Sequence, residues 1–560
     1  MKKNTTKNIK TVTIIGIGGG ACFYIAKYFY NLNANIIGFD INKNDKTDKL
    51  GKLGVKIEYK NPDKPFKKDT DLIIYSSALP NHIIEKIKKD NPKINFEEVG
   101  IFTKNLIESF EKNKLSNLEK IAFKKSEIAP LFDLNTKNVK IIGVTGTDGK
   151  TTTCEMVYTC LKADGKKVGL VSTLGAKING KSVETGLHTT TPSNQELYNL
   201  LNKMIQKKCS FIVLETTSHA LVTGRIAGLK FDVVTVTNIT KDHLDYHKNY
   251  KEYIKAKSLL FRKYLKKEGT AILNYDDKKS FDYLKNLVKN KIIYSKNPTK
   301  RYLAEKGIKI YIKSFSKTEG GYIIIYVSQK GEHAIKIPLE GEYNISNALA
   351  AIAVVLTLGI KNTNIKKGIE TMPNPKGRME ILQKTPFMVI VDFAHTENAF
   401  ENVLYEATNL KKNTNKLIVV FGCAGKRDST KRKPMGSLAG RYADITVLTA
   451  EDPRTESLVV INNEIEKGWV HSTKDSKNSK TATEFGSITK NRNGQVLIRY
   501  DDETQKEHIR RKAIARALRE AHHGDIVLIT GKGHENSLCF GDTEYGWNDI
   551  EEIKKLINTP

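Results

Sequence analysis

GVTGTDGKTTT, Gly143 to Thr153, follows an apolar run from Val139 to Val144 that reads as a buried parallel strand. It precedes a helical spacing from Cys154 to Ala163. Strand, glycine loop, helix is the order of a phosphate-binding site. Gly146 and Gly149 permit backbone angles that turn amide N–H groups inward. A polyphosphate then rests on Gly146, Thr147, Asp148, Gly149, Lys150, Thr151 and Thr152 and on the positive end of the helix. Lys150 reaches the β- and γ-phosphates, and the Thr151 hydroxyl is placed for Mg²⁺. A bare glycine turn would account for the glycines but not for a lysine and three threonines behind a strand.

At 560 residues the chain is too long for one ordinary core, which predicts about three or four domains. The net charge of +30 comes mostly from lysine scattered through every region and interleaved with Asn and Ile. That pattern reads as a solvated basic surface. No zinc-knuckle spacing, aromatic RNA-binding pattern or arginine tract accompanies it, so no nucleic-acid partner is expected. Six cysteines without a C-x-x-C pair suit a reducing cytoplasm. Lys2, Lys3, Lys7 and Lys10 before the uncharged run Thr11 to Ala26 resemble a signal peptide, but three consecutive glycines and the lack of an A-x-A-like site argue against one. No later stretch reaches the roughly 20 apolar residues of a membrane helix, so no membrane insertion is expected.

Upstream of the loop, Thr11 to Ile17 reads as a strand leading into Gly16, Gly18, Gly19, Gly20 and Ala21 and then a helix to Tyr30. This G-x-G-x-x-A opens a βαβ unit whose second strand, Asn35 to Phe39, ends in Asp40, where a Rossmann acid meets a ribose. By motif alone a dinucleotide such as NAD fits as well. A further strand, Asp71 to Tyr75, runs into Ser76, Ser77, Ala78, Leu79 and Pro80. Residues 101–138 read as mostly helical, ending in a polar link.

Downstream, Val168 to Ser172 reads as a strand, followed by His188, Thr189, Thr190, Thr191 and Pro192. Phe211 to Leu214 delivers Glu215, which is positioned either to bind Mg²⁺ or to cap a helix, and Thr216 to Ala220 and Arg225 follow. Phe231 to Thr237 ends in Asn238, ahead of Asp242, His243, Leu244, Asp245, Tyr246 and His247. Lone histidines are more often satisfied core or surface groups than ligands. Lys257, read blindly, is an ordinary solvated lysine. Asn347 opens an Ala-rich helix and so competes as a cap. Beyond a turn at Pro373 to Lys376, strands Met388 to Val391, Leu417 to Val420, Ile445 to Leu448 and Ile526 to Ile529 each end in a polar loop, and the last three converge on one crevice. Trp469 to Val496 is rich in Ser, Lys, Asn and Thr and is expected to be a mobile surface loop, an insertion near 470–496.

T-G-T-D-G-K-T-T-T resembles the ATP loop of the Mur ligases and of their folylpolyglutamate synthetase relatives. E-T-T-S-H-A-L before Arg225, D-H-L-D-Y-H at Asp242 to His247, and Tyr253, Ala256 and Lys257 are similar to motifs of the tripeptide-forming Mur ligases. G-R-M-E at Gly377 to Glu380 and D-F-A-H-T at Asp392 to Thr396 resemble others, with Glu397 where the family usually has proline. The resemblance implies an α/β fold of three domains: a Rossmann-like UDP-binding domain over 1–105, an ATP-binding domain with a mostly parallel sheet over 106–375, and a Rossmann-like amino-acid-binding domain over 376–560. G-I-G-G, Asp40 and S-S-A-L-P resemble the first domain of alanine- or glutamate-adding members, which implies uridine nucleotide at Gly18, Asp40, Ser76 and Ser77.

The same resemblance implies ATP held also by Asn274, Asn344, Asn347, Arg378 and Asp392. It implies muramoyl substrate at Thr190, Thr191, Ser218 and Arg225, and the incoming amino acid at Arg427, Asp452, Arg454, Gly531 and Glu535. Mg²⁺, two ions, would be held by Thr151, Glu215, His243 and Lys257, the last carbamylated. Lys150, His243, Lys257 and Arg378 would be the catalytic set. The chemistry implied is amide ligation through an acyl phosphate, joining a diamino acid to a UDP-linked muramoyl dipeptide in a cytoplasmic monomer. Diaminopimelate-adding members typically read D-N-P-R; Arg454 is kept here, while Asp452 replaces the asparagine and suits a plain basic side chain. Addition of glutamate to folate, a recycling ligase for free tripeptide and a non-catalytic nucleotide-binding module are the competing readings.

Overall fold

The structure is a computed structural model that describes residues 9–60, 70–76, 79, 81–111, 116, 119–120, 122, 134, 136–183, 190–192, 194–412, 414–472, 479–484, 486–491 and 494–558. The chain forms two compact units, one comprising Met1–Gly143, Lys166–Val234 and Ala256–Gly269, the other Val144–Gly165, Thr235–Lys255 and Thr270–Pro560.

In the first unit, β1 (Thr11–Ile15), β2 (Asn35–Asp40), β3 (Lys56–Tyr59), β4 (Leu72–Tyr75) and β5 (Asn95–Glu98) form a sheet in the order β3-β2-β1-β4-β5. Every pair is parallel. A parallel strand covered on both faces is mostly apolar, and all of β1 is buried, its Thr13 hydroxyl meeting that of Thr70 at 3.2 Å. Val12, Ile14, Cys22, Tyr28, Phe29 and Phe102 fill one face; Ile15, Phe39, Ile73 and Ile87 fill the other. The strand order reverses between β1 and β4, so the Gly16 turn and Ser76 meet at the switch point where such sheets bind ligands. Beyond β6 (Lys140–Thr145), the same unit contains β7 (Val168–Ser172), β8 (Gly175–Ile178), β9 (Lys181–Val183) and β10 (Phe211–Glu215). There β10 pairs parallel with β7, and β7, β8 and β9 are antiparallel. Then follows β11 (Phe231–Val236).

In the second unit the end of β12 (Leu265–Asn274) pairs parallel with β13 (Lys291–Ser295), and β13 with β14 (Ile308–Thr318). An antiparallel meander through β15 (Gly321–Ser328) and β16 (Gly331–Ile337) follows. The C-terminal sheet comprises β17 (Glu380–Gln383), β18 (Met388–Asp392), β19 (Leu417–Phe421), β20 (Ile445–Leu448), β21 (Ser479–Thr483), β22 (Gly486–Lys490), β23 (Val496–Tyr500) and β24 (Ile526–Thr530). Its order is β17-β18-β24-β19-β20-β23-β22-β21, with β18, β24, β19, β20 and β23 parallel. The predicted strand ends therefore do converge, since β24, β19 and β20 are neighbours.

Three expectations are corrected. The helix after the ATP loop starts at Lys150, not Cys154, because left-handed Gly149 (φ 79°) serves as its N-cap and puts Thr151 to Thr153 in the first turns. The helix Tyr343–Thr357 begins before Asn347, so that asparagine lies inside the helix and does not cap it. The stretch near 470–496 is not a loop in its described residues. The helix Leu458–Ser472 ends there, and β21 and β22 form a hairpin that extends the sheet antiparallel to β23. Ser487 and Thr489 are buried, and the Thr489 hydroxyl donates to Glu466 at 3.1 Å. A polar strand at a sheet edge has the composition of a loop. Much of the expected helical run 101–138 lies outside the described residues; Val99–Glu111 is its described helix.

The C-terminal core depends on close helix packing. The helices Arg432–Tyr442 and Leu458–Ser472 touch backbone to backbone: a Cβ on Gly436 would collide with the Ile465 carbonyl, and one on Gly468 with the Lys433 carbonyl. Overpacking typically costs about 1–3 kcal/mol. Gly436→Ala and Gly468→Ala are therefore each expected to lower the urea midpoint, although alanine favours helix, whereas Gly546→Ala, with open space around it and no positive φ, should not show this steric loss.

Candidate functional site

The ATP loop is held from beneath by side chains of the second unit. The Thr147 N–H donates to the Asn238 carbonyl at 2.7 Å and the Asp148 N–H to Asn238 Oδ1 at 3.0 Å, while the Thr237 hydroxyl donates to the Asp148 carbonyl at 2.5 Å. Asn274 Nδ2 donates to the Thr237 carbonyl at 2.5 Å. Gly149 lies against Asn347 Oδ1, where any Cβ would collide; Asn347 Nδ2 in turn donates to Asn344 Oδ1 at 2.9 Å. Asn274, Asn344 and Asn347 are thus gathered at the loop, as expected. Lys150 Nζ donates to the Thr147 carbonyl at 2.8 Å, and Arg378 Nη2 to the Thr151 hydroxyl at 3.3 Å. The Arg378 guanidinium lies 4.6 Å from the Phe393 ring centroid. Asp392 is buried and accepts the N–H groups of Met379 and Ala394, each at 2.7 Å, so it also shapes the G-R-M-E turn.

His243 has a left-handed backbone (φ 52°), and its Nε2 lies 3.2 Å from Asp242 Oδ2. Burial alone would raise Asp242, but His243, His395 and Lys431 outweigh it and hold its carboxyl at about 2. Burial and Lys431 hold His395 down at about 3. Its Nδ1 lies 3.0 Å from the Phe393 carbonyl, which only accepts, so Nδ1 carries the proton. Tyr253 OH sits 3.3 Å from the Thr147 hydroxyl, and Asp428 Oδ2 accepts the Leu244 N–H at 3.2 Å.

In the first unit, Glu215 ends β10 with 1% exposure, and its carboxylate accepts the Thr173 N–H at 2.9 Å and hydroxyl at 3.0 Å. The Thr190 hydroxyl lies 3.1 Å from that of Thr173. The Thr191 hydroxyl donates to the Glu215 carbonyl at 3.0 Å, and Arg225 Nη1 to the Thr191 carbonyl at 2.9 Å. Glu215, Thr190, Thr191 and Arg225 therefore form one cluster. Ser218 is buried at the start of the helix Ser218–Thr223, which Thr217 caps. Lys257, 2% exposed on the helix Tyr250–Leu259, is not the solvated lysine of the blind reading. At the switch point Asp40 accepts the Gly18 N–H at 2.8 Å, and Ser76 packs against Gly16. Ser77, His188 and Thr189 lie outside the described residues.

In the second unit Asp452, Arg454 and Glu535 meet around Lys532. Asp452 Oδ1 accepts Lys532 Nζ at 2.8 Å and the Cys539 N–H at 2.9 Å, and its Oδ2 faces Arg454 Nη2 at 3.5 Å. Lys532 also pairs with Glu535 at 2.7 Å. Burial would lower Lys532, but Glu535 and Asp452 keep its pKa above the usual lysine value. Arg427 is exposed; desolvation of its charged head and then the like charge of Arg454 push its pKa down. Gly531 lies against the Glu451 carboxylate. Beneath these arms Arg510 binds Asp549 through Nε (2.8 Å) and Nη2 (2.7 Å) and donates to the Ala450 and Thr530 carbonyls at 3.0 and 2.9 Å.

Residues 144–355 match the Mur ligase middle domain, and residues 377–533 match the Mur ligase glutamate ligase domain. The UDP-N-acetylmuramoyl-L-alanyl-D-glutamate–2,6-diaminopimelate ligase of Clostridium botulinum is 34% identical over 75% of this chain and 78% of its own. Its counterpart in Clostridium tetani is 31% identical over 88% and 92%. The chain belongs to the Mur ligase family. The MurF ligase of Thermotoga maritima, solved with ADP, shares the fold at TM-score 0.55 and 15% identity, covering 93% of this chain and 94% of its own. This Mur ligase is accordingly an α/β, ATP-dependent enzyme that forms carbon–nitrogen bonds in peptidoglycan precursor synthesis.

Three residues of the Mur ligase cluster escape sequence reasoning. Lys532 stands in the polar loop Thr530 to Glu535 that follows β24, and Glu451 beside Asp452, so both were visible; Arg510, on the helix Lys506–Glu520, carries no local signal. Glu451 is buried, and its Oε2 has no hydrogen-bond partner among the described residues. Burial pushes its pKa up to about 7, against the pull of Lys431 and Lys532. A folded-state pKa above the unfolded one means that stability is lost as pH rises from about 4.5 to about 7. Glu451→Gln removes that loss, at most roughly 3 kcal/mol. Its melting temperature relative to the unsubstituted chain should climb across that pH window and stay level above it.

Proposed function

We propose that this Mur ligase joins a diamino acid with a distal carboxylate, of the diaminopimelate type, to UDP-N-acetylmuramoyl-L-alanyl-D-glutamate. The observation that carries the choice of amino acid is the state of Asp452. Its carboxylate is already engaged, Oδ1 by Lys532 and a backbone N–H and Oδ2 beside Arg454 at 3.5 Å, so it offers little negative charge to a plain basic side chain. Arg454, beside Asp452, and the exposed Arg427 are the groups a distal carboxylate would satisfy, through forked charge-assisted hydrogen bonds. Glu535 and the Glu451 carboxyl suit the ammonium group at that end. The 2,6-diaminopimelate named for the similar clostridial ligases supports the same reading.

In the reaction, an oxygen of the glutamyl carboxylate bonds to the γ-phosphorus as the bond to the β-phosphate oxygen breaks, leaving ADP and an acyl phosphate. The amine then bonds to the acyl carbon, inorganic phosphate leaves, and the ammonium proton passes to solvent. Two anions meet in the first step, so Lys150 and Arg378 exchange their protein acceptors, the Thr147 carbonyl and the Thr151 hydroxyl, for phosphate oxygens. Mg²⁺, when bound, neutralises phosphate charge. Thr151, Glu215, His243 and a carbamylated Lys257 would hold two such ions together with the phosphates. Among the described residues no three His, Cys, Asp or Glu gather as an all-protein cage, which fits an ion that keeps phosphate and water ligands. Thr190, Thr191, Ser218 and Arg225 would bind the muramoyl peptide, and Gly18, Asp40, Ser76 and Ser77 its UDP; Asn274, Asn344, Asn347 and Asp392 would serve ATP. No described helix is long and apolar enough to cross a membrane. The enzyme works as a monomer in the cytoplasm.

Phosphate release from ATP and Mg²⁺ with the UDP-dipeptide, offered meso-diaminopimelate, lysine and ornithine separately, tests this. Diaminopimelate should exceed lysine in kcat/KM by at least a hundredfold. Equal or better use of lysine sinks the assignment, and turnover only with UDP-N-acetylmuramate plus free tripeptide would make the chain a recycling ligase. Lys257→Ala should lose at least a hundredfold in kcat, and intact-mass measurement in bicarbonate should show a 44 Da adduct, the mass of one CO₂ added to the amine, that the variant lacks; equal adducts in both would exclude Lys257 as the carbamylated site.

A further inference from the structure

Asp148 sits in the middle of the ATP loop, yet its side chain serves another part of the second unit. Its main chain is bound to the loop's own support, through the Asn238 side chain and the Thr237 hydroxyl. Its carboxylate is half-buried and meets the first turn of the helix Glu397–Leu410, which leads from β18 to β19. Oδ1 accepts the Thr396 hydroxyl at 3.0 Å, and Oδ2 accepts Asn398 Nδ2 at 2.8 Å. The Thr396 oxygen also accepts the Ala399 N–H at 3.1 Å, so the residue that caps the helix is also the one that grips the loop. The carboxylate thus lies at the positive end of a 14-residue helix, where negative charge is stabilised.

We propose that Asp148 is a positioning residue that clasps the ATP loop to the C-terminal sheet through Thr396 and Asn398. Asp392 lies four residues before Thr396 in the same strand-to-helix turn, and its carboxylate in turn holds the Met379 N–H beside Arg378. A shift of the helix start would carry both nucleotide-facing groups away from the loop. The clasp therefore fixes where Arg378 and Asp392 stand relative to Lys150 and Thr151, without itself touching the reacting atoms. A half-buried carboxylate deprived of its two donors at 3.0 and 2.8 Å loses hydrogen bonds that water replaces only in part, so the open arrangement is disfavoured.

Its catalytic readout rests on the ligase reading, but its structural readout does not. In Asn398→Asp two carboxylates face each other, which should break the clasp. In the double variant Asp148→Asn with Asn398→Asp, acceptor and donor are exchanged and the contact can reform. For the full-length chain, kcat would be measured by phosphate release, and the radius of gyration by X-ray scattering with Mg²⁺ and a non-hydrolysable ATP analogue. Asn398→Asp should lose at least tenfold in kcat and show a larger radius of gyration than the unsubstituted chain. The exchanged pair should return to within threefold and to the original radius. A general loss of stability would not be repaired by reversing the pair. Should Asn398→Asp fail to fold by circular dichroism, Asn398→Ala, which removes one donor without adding charge, should lose three- to tenfold. Wild-type behaviour of the folded single variants, or an exchanged pair no better than Asn398→Asp, overturns the clasp. If the unsubstituted chain turns over none of the amino acids, the scattering comparison alone decides.

Discussion

A parallel strand buried on both faces can carry polar chemistry only where it stops. That constraint governs the site groups of both units: Glu215 closes β10, Asn274 closes β12, Asp392 closes β18, and Glu451 and Gly531 follow β20 and β24 within a few residues. In the C-terminal sheet the strands before them are almost wholly apolar because helices cover both faces. Parallel strands end at the same edge of their own sheet, so residues far apart in sequence meet there.

The same constraint made much of the protein legible. Alternation between apolar run and polar loop located β6, β10, β18, β19, β20 and β24 to within a residue or two, and with them the loop lysine and Glu215; Arg378 and the Arg454 cluster were pointed to by resemblance to Mur ligase motifs. What could not be read were contacts made by side chains with no pattern of their own. Arg510 looks like any arginine on an exposed helix until Asp549 and the Ala450 and Thr530 carbonyls are seen around it. Asp452 looked like a free acid because sequence shows a charge but not its partner. Lys532 supplies that partner from 80 residues away.

Three buried arginines are each paired with carboxylates. Arg432 is held by Glu456 and Glu464, Arg499 by Glu466 and Asp501, and Arg510 by Asp549. Breaking one such pair typically costs about 3–5 kcal/mol, because the survivor keeps its desolvation penalty. Glu451 departs from this pattern in being buried without a hydrogen bond at Oε2. A group so placed has little to lose on meeting a cation, which makes it a better host for a ligand than for the fold.

The hairpin of β21 and β22 has a consequence for the protein in a crowded solution. Among the described strands β21 is the last of the C-terminal sheet, and an outermost strand offers its unpaired N–H and C=O groups to any other extended chain. Ser-Lys-Thr-Ala-Thr is short, carries a lysine and has no large apolar side chain, so a second molecule docking along it would bury charge and gain almost no hydrophobic contact. The polar composition that made this segment look like a loop is what keeps an eight-stranded sheet from growing by recruiting its neighbours.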